Sequence, residues 1–383
     1  MNNNRALIPR RISGTLAAAY DAGDKVLILY GPRQSGKTTS ALQLFTNRPD
    51  HKVLSLTGDD PADRRELSSK SKVELSRLTA GYDSLFIDEA QRIPDIGITL
   101  KLLHDNLPSL RILATGSSSF ELAARTKEAL TGRNRTFTLH PIGAGELAET
   151  MDLRALKNEL SDYLVHGMYP AVRTADSRNE QRQILKELTD SYLYKDVIEY
   201  GGIRHTDKIH DLLRLLSFQI GSEVSISELG GKLGLSRDTV DRYIDVLEMA
   251  FVVFRLRGYS RNLRNEVTKM DKIFFYDVGV RNMIIGNLAE PEYRNDMGCL
   301  WENFLVSERR KVLSWRDSWA NAWFWRLRTG AELDYIEEED GLLRGYEFKF
   351  GNKTPGPPAS WTAAYPEADY TVVNRDNWTD FIL

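Results

Sequence analysis

At 383 residues the chain is long enough for two or three domains, each with its own core. Its 42% hydrophobic and 27% charged residues describe an ordinary globular protein, and a formal net charge of −3 supplies no global field toward DNA or a membrane. Any nucleic-acid surface must therefore be local. The single cysteine, Cys299, excludes an intramolecular disulfide and a cysteine-based zinc site; a small buried apolar role is expected for it. The six histidines are scattered, and the closest pair, His205 and His210, does not share a helix face, so a histidine metal centre is not expected. The opening Met1–Arg11 lacks the apolar core of a signal peptide, and no run approaches the ~18 apolar residues of a membrane span. A cytoplasmic protein without a membrane partner is expected.

Short β-branched runs at Lys25–Tyr30, His51–Leu56, Ser84–Asp88, Leu110–Thr115 and Arg135–His140 alternate with helical patterns, which predicts a parallel sheet covered on both faces. Directly after the first run comes Gly31-Pro32-Arg33-Gln34-Ser35-Gly36-Lys37-Thr38-Thr39, a full GxxxxGK[ST] loop between strand and helix. Gly31 and Gly36 let the backbone curl so that its N–H groups face an anion, and the following helix adds its positive N-terminal end. Lys37 is placed to reach the β- and γ-phosphates of ATP, and the Thr38 hydroxyl to join a Mg²⁺ shell. The whole stretch Gly31–Thr39 is the expected nucleotide-binding segment.

The third strand ends in Asp88-Glu89. Asp88 is the second candidate for the Mg²⁺ shell, and Glu89 the group that orients or deprotonates the attacking water. The fourth strand runs into Thr115-Gly116-Ser117-Ser118, where Thr115 and Ser117 are both candidates to sense the γ-phosphate or the water. Arg133 or Arg135 could serve as an arginine finger, in cis or on a neighbouring subunit of a homo-oligomer; a plain surface arginine is the alternative.

Gly31–Thr39, Phe86-Ile87-Asp88-Glu89-Ala90-Gln91, Ala114-Thr115-Gly116-Ser117-Ser118 and Leu130-Thr131-Gly132-Arg133 together resemble a prokaryotic family of AAA+-type ATPases in which a C-terminal domain of unknown function follows the ATPase module. The resemblance continues through His166-Gly167-Met168-Tyr169-Pro170, Tyr194-Lys195-Asp196, Asp277-Val278-Gly279, Trp301-Glu302-Asn303-Phe304 and Glu347-Phe348-Lys349. It implies a sheet in the order 5-1-4-3-2, with Lys37, Asp88 and Glu89 as working residues. Met168 departs from the family's second glycine, and Ile142-Gly143-Ala144 from its Leu-Ser-Phe-like stretch. Neither touches the phosphate loop.

After a helical stretch from about 150 to 220, Ser227–Tyr243 reads as a helix-turn-helix. Leu229 and Leu233 set its first helix, Gly234 the turn, Ser236 an N-cap, and Val240, Ile244 and Leu247 the buried stripe of the second helix. The β-rich Phe251–Leu256 would be a wing. The second helix carries Arg237 and Arg242 against Asp238, Asp241, Asp245 and Glu248, which is unlike a helix lying on phosphates. The following stretch is basic, with Arg255, Arg257, Arg261, Arg264, Lys269 and Lys272 against Glu266 and Asp271. DNA, if bound, would be gripped through phosphates by this segment, without base readout. A packing module between neighbouring domains is the equal alternative.

The C-terminal order of helix, three strands, helix and strand is that of a restriction-endonuclease-like core. Glu302 lies on the first helix, Asp334 on the second strand, and Glu347 and Lys349 two apart on the third. Asp334 and Glu347 could hold Mg²⁺, with Lys349 stabilising a charged transition state. Asp277 precedes a glycine turn and receives no role. All seven tryptophans lie from Trp301 onward, as a small domain needing bulky apolar side chains would have them.

The expected fold is thus α/β: a P-loop AAA+-type parallel sheet over 1–150, a helical linker over 151–220, a winged helix over 221–270, and an α/β restriction-endonuclease-like domain over 271–383. The expected function is ATP hydrolysis coupled to work on DNA, with a metal-dependent nuclease or DNA-binding C-terminal domain. The alternative is an ATP-dependent switch or scaffold whose C-terminal half binds a protein and cuts nothing.

Overall fold

In the computed structural model, residues 7–116, 130–201, 206–260, 271–316 and 318–383 are described. The chain divides into two units, one of residues 1–142 with 249–251, the other of 143–248 with 252–383. Among the described residues no helix is long and apolar enough to cross a membrane.

The first unit is built on five strands: β1 (Val26–Tyr30), β2 (Val53–Thr57), β3 (Ser84–Asp88), β4 (Arg111–Gly116) and β5 (Asn134–Thr138). They form one parallel sheet in the order β2-β3-β4-β1-β5, the order the family resemblance implies. Val26-Leu27-Ile28-Leu29-Tyr30 is buried throughout, as a central parallel strand must be when helices cover both faces. The helix Ile12–Ala22 ends at Gly23, whose φ of 68° and N–H to Ala19 close a left-handed cap. Its Leu16 and Tyr20 pack with Leu44 and Phe45 of the helix Lys37–Thr46, and with Leu27, Leu29, Phe86 and Leu113 of the sheet.

Register fixes what meets at the carboxyl end of this sheet. Tyr30 lies opposite Gly116, Ile87 opposite Ala114, and Thr57 opposite Asp88. The end of β1 therefore opens between the tips of β4 and β5, at the switch in strand order where ligands of such sheets bind.

The second unit contains a seven-stranded sheet. Its strands are β6 (Glu223–Val224), β7 (Val253–Gly258), β8 (Asp271–Phe275), β9 (Asn321–Arg326), β10 (Glu332–Glu339), β11 (Leu342–Phe348) and β12 (Asp369–Val373), in the order β12-β11-β10-β9-β7-β8-β6. The expected helix-turn-helix pair is present as Ile226–Leu233 and Arg237–Met249, turned at Gly234 with a φ of 65°. Ser236 caps the second helix through the N–H of Thr239, and Val240, Ile244 and Leu247 are buried. The strand after it differs from a free-standing wing. β7 pairs in parallel with β9, Arg257 opposite Trp323, so one sheet runs through the stretches expected as separate winged-helix and C-terminal modules. β9, β10 and β11 are antiparallel and β12 joins β11 in parallel, while the helix Met297–Trp315 precedes them and Ala359–Ala364 intervenes.

Two stretches that departed from the family pattern, or had no role, are explained here by close packing. Asp277 caps the helix Val278–Ile284 through the N–H of Val280 and also accepts the N–H of Met168 at 2.6 Å. A Cβ on Gly167 would stand 2.1 Å from the same carboxylate, so Gly167, with a φ of 74°, tolerates no side chain. Asp277 engages Met168 through its backbone N–H alone, and the Met168 side chain is buried in the core. A Cβ on Gly143 would lie 2.2 Å from the Trp315 ring, and the Ala144 N–H donates to buried Glu308 at 2.7 Å. Cys299 is exposed, contrary to the buried role expected, because it lies on the solvent side of the helix Met297–Trp315.

Candidate functional site

The glycine-rich loop leaves β1 at Gly31, where a Cβ would stand 2.1 Å from the Leu139 carbonyl oxygen. Gly36 (φ 96°) closes the loop, and the helix starts at Lys37. Pro32 and Ser35 are buried, Arg33 half-buried, and Gln34, Thr38 and Thr39 exposed along the mouth. Lys37 is buried, its Nζ donating to the carbonyls of Gly31 at 2.9 Å and Pro32 at 2.8 Å. The Oγ of Ser35 is buried with no hydrogen-bond partner among the described residues. An inward hydroxyl without a partner among the described residues, a buried lysine that donates to loop carbonyls, and a helix N-terminus together suit a polyphosphate.

Asp88 ties this loop to the sheet. Its Oδ2 accepts from the Thr38 hydroxyl at 2.9 Å, and its Oδ1 accepts from the Thr115 hydroxyl and, at 3.1 Å, from the Glu89 N–H. Glu89 has a φ of 49°, a left-handed conformation costly for a residue with a Cβ, and its carboxylate accepts from Gln91. The donor set of Thr38 hydroxyl and Asp88 carboxylate fits a hard, oxygen-bound cation such as Mg²⁺.

Two supporting residues escaped the sequence reading. Arg10 donates to the carbonyls of Ser35 and His140, both at 2.6 Å, and so braces the loop against the exit of β5. Gly58 donates to the Asp88 carbonyl at 2.8 Å, and a Cβ there would meet the Glu89 carbonyl oxygen at 2.2 Å. In sequence Arg10 is one basic residue before a helix and Gly58 one turn glycine, so neither carries a signal. Ser117 lies outside the described residues. Arg133 sits at the amino end of the sheet, its carbonyl accepting the Val26 N–H at 2.8 Å and its guanidinium pairing with Asp105 at 2.7 Å. That is the opposite end of β1 from the loop.

In the second unit Glu302, Asp334, Glu347 and Lys349 do converge, around a residue that the charge pattern had placed among DNA-facing cations. Lys272 of β8 is buried; its Nζ lies 2.8 Å from Glu302 Oε1 and 4.0 Å from Asp334 Oδ1. Asp334 lies where an extra residue in β10 shifts the register against β9, a bulge that re-aims its side chain. Its Oδ2 accepts the Phe348 N–H at 2.7 Å, and Glu347 pairs with Lys349. Burial pushes the Glu302 and Asp334 carboxyls up, against the pull of Lys272. Burial also works against the Lys272 charge, but Glu302 and Asp334 outweigh it and hold the ammonium above its ordinary pKa. Among the described residues no group of three or more His, Cys, Asp or Glu side chains is arranged to hold a metal. The acids expected to hold Mg²⁺, Asp334 and Glu347, thus lie close to two lysines, Lys272 and Lys349.

The first residue of the basic segment is paired within the chain. Arg255 is only 12% exposed and pairs with Asp241 at 2.8 Å, Asp245 at 2.7 Å and Glu248. Three acids of the second helix are thus the counter-charges of a half-buried arginine. Arg257 is exposed. Arg261 and Arg264 lie outside the described residues.

Comparison with known proteins agrees with this geometry. Residues 23–148 match a family model described as an AAA domain, and residues 157–290 and 297–378 match two domains of unknown function (DUF8612 and DUF4143). An uncharacterized protein of Mycobacterium tuberculosis is 27% identical over 329 residues, 85% of this chain and 70% of that protein. An uncharacterized protein of Methanocaldococcus jannaschii is 24% identical over 314 residues, covering 75% of this chain and 67% of its own length. Among solved structures, a Walker-type ATPase of Pyrococcus abyssi aligns with 73% of this chain and 96% of its own at a TM-score of 0.50 and 15% identity, a likeness of fold. Loop, sheet order and match make 23–148 an AAA-type P-loop ATPase domain, followed by a C-terminal domain of unknown function.

Replacing Arg255 takes the shared counter-charge from the exposed Asp241 and Asp245 and the half-buried Glu248. Arg255→Ala should therefore lower the unfolding free energy by about 1 kcal/mol, read as a urea midpoint, and leave any DNA mobility shift at wild-type strength. A weakened shift at unchanged stability would restore Arg255 as a phosphate contact.

Proposed function

We propose that the chain is an ATP-driven switch. It hydrolyses ATP at the Gly31–Thr39 loop, and its C-terminal half takes or releases a protein partner without cutting nucleic acid. The observation that carries the hydrolytic part is the Asp88 carboxylate, fixed by Thr38, Thr115 and the Glu89 N–H at the mouth of the loop. A passive nucleotide pocket needs the loop but not an acid oriented by two hydroxyls beside a second acid.

In this reading the loop N–H groups, the Ser35 hydroxyl and Lys37 bind and orient the phosphates. Lys37 exchanges the Gly31 and Pro32 carbonyls for phosphate oxygens, so its partner changes while its charge stays buried and compensated. Thr38 and Asp88 would hold Mg²⁺, which when bound neutralises charge on the transferred phosphoryl group. Glu89 orients the attacking water and accepts its proton. Thr115 keeps Asp88 aimed, and Ser117 is the candidate to contact the γ-phosphate. Arg133, at the far end of its own sheet, would act as a finger only on a neighbouring subunit, in a homo-oligomer. Switch action, in preference to cleavage, is supported by the internal pairing of Arg255 and Lys272, two cations that a DNA-gripping surface would expose.

Glu89→Gln should keep ATP binding within about twofold and slow turnover by about a hundredfold or more, while Lys37→Ala should lose binding itself. Equilibrium titration with ATP alongside phosphate release separates the two. Wild-type turnover in Glu89→Gln would remove the hydrolytic assignment.

A second reading, work on DNA, draws on the convergence of Glu302, Asp334, Glu347 and Lys349, together with the exposed Arg257. Linear, single-stranded and branched DNA incubated with the protein and Mg²⁺ or Mn²⁺ tests it against Asp334→Ala. The switch reading predicts intact DNA and no mobility shift. Cleavage by the wild type that Asp334→Ala abolishes would replace the switch with a nuclease.

A further inference from the structure

We propose that the Lys272 ammonium is a resident cation of the C-terminal carboxylate cluster, filling the point between Glu302 and Asp334 that a divalent metal would bridge, and that this keeps the cluster free of metal. The inference concerns this cluster alone and does not depend on ATP turnover or on the nature of the partner.

Each acid of the cluster already has a partner within the chain. Glu302 Oε1 faces Lys272 at 2.8 Å. Asp334 turns Oδ1 toward Lys272 and Oδ2 to the Phe348 N–H. Glu347 is paired with Lys349. A bridging metal needs oxygens of Glu302 and Asp334 on one centre, and the ammonium already lies 2.8 Å from one and 4.0 Å from the other.

Lys272 is also not free to leave. Its backbone is fixed on both edges of β8, opposite Glu223 on one side and Leu256 on the other. Its side chain is 4% exposed, and the Nζ lies 5.4 Å from the centre of the Phe324 ring. Withdrawing it would leave Glu302 and Asp334 buried without a counter-charge, which is far more costly than breaking a surface pair. The cluster sets Glu302, Asp334, Glu347 and the neighbouring Glu332 against Lys272, Lys349 and Arg326, so most of its charge is balanced within the chain.

An ammonium balances carboxylates but does not do a metal's other work. It has no open coordination position and does not turn a bound water into a nucleophile near neutral pH. The cluster is thereby a locked ion-pair network joining β8, the helix Met297–Trp315, β10 and β11. The chain keeps the layout of acids but has filled its centre with its own side chain.

The probe is Mn²⁺ alone, added without nucleotide to the full chain, with bound ion read by electron paramagnetic resonance. Wild type and Asp334→Asn should bind Mn²⁺ alike, since Asp334 contributes to no metal site. Lys272→Met should gain one Mn²⁺ site at least tenfold tighter than any in the wild type, and Lys272→Met/Asp334→Asn should lose it again. Lys272→Gln, which keeps a hydrogen-bond donor, takes the place of Lys272→Met if circular dichroism shows that variant unfolded. A wild-type Mn²⁺ site that disappears in Asp334→Asn overturns the proposal. So does a folded Lys272 variant that gains no site.

Discussion

The nucleotide site depends on one carboxylate. Asp88 ends a strand buried on both faces and is held by groups from three separate elements: the Thr38 hydroxyl on the helix after the loop, the Thr115 hydroxyl on β4, and the N–H of Glu89 in its own turn. Each hydrogen bond to an ionised acceptor is stronger than a neutral one, and together they fix the acid to a single orientation. The left-handed backbone at Glu89 and the close approach of Gly58 belong to the same constraint, because both exist to turn the chain sharply at the strand tip. Arg10 serves the other side, holding the loop where Thr38 can reach Asp88.

The second unit follows a different rule: its conspicuous cations are spent on its own acids. Arg255 is enclosed by Asp241, Asp245 and Glu248, and Lys272 by Glu302 and Asp334. Charges paired in this way specify which helix lies on which strand, and they are costly to disrupt singly. They do not provide the open positive surface on which non-specific DNA binding rests. Function therefore has to be argued from the site, not from the order of elements.

Much of the first unit was legible because its signals are local. A strand, a glycine turn and a helix start are contiguous in Val26–Thr46, and Asp88-Glu89 is marked by the apolar run before it. The strand order followed from resemblance, not from periodicity. What stayed hidden was long-range. Lys272 and Arg255 read as members of a basic stretch, because charge counts along a sequence say nothing of the acids that pair with them from other elements. The parallel pairing of β7 with β9 joins residues more than sixty positions apart and leaves no mark in either strand. Asp277 looked like a spare turn acid until the Gly167–Met168 backbone came to rest on it. Cys299 was misjudged because residue type alone favours burial, while its helix face decides exposure.

The central claim is that Asp88 makes the loop a hydrolysing site. Asp88→Asn keeps the size of the side chain and its acceptor for Thr115, but it presents an amide in place of the charge at Thr38. The direct measurement is ATP affinity with and without Mg²⁺, together with phosphate release, for wild type and Asp88→Asn. The account predicts that wild type binds ATP more tightly with Mg²⁺ and turns it over, and that Asp88→Asn loses both the Mg²⁺ increment and turnover while still binding ATP. Equal turnover and an unchanged Mg²⁺ dependence in Asp88→Asn would contradict it.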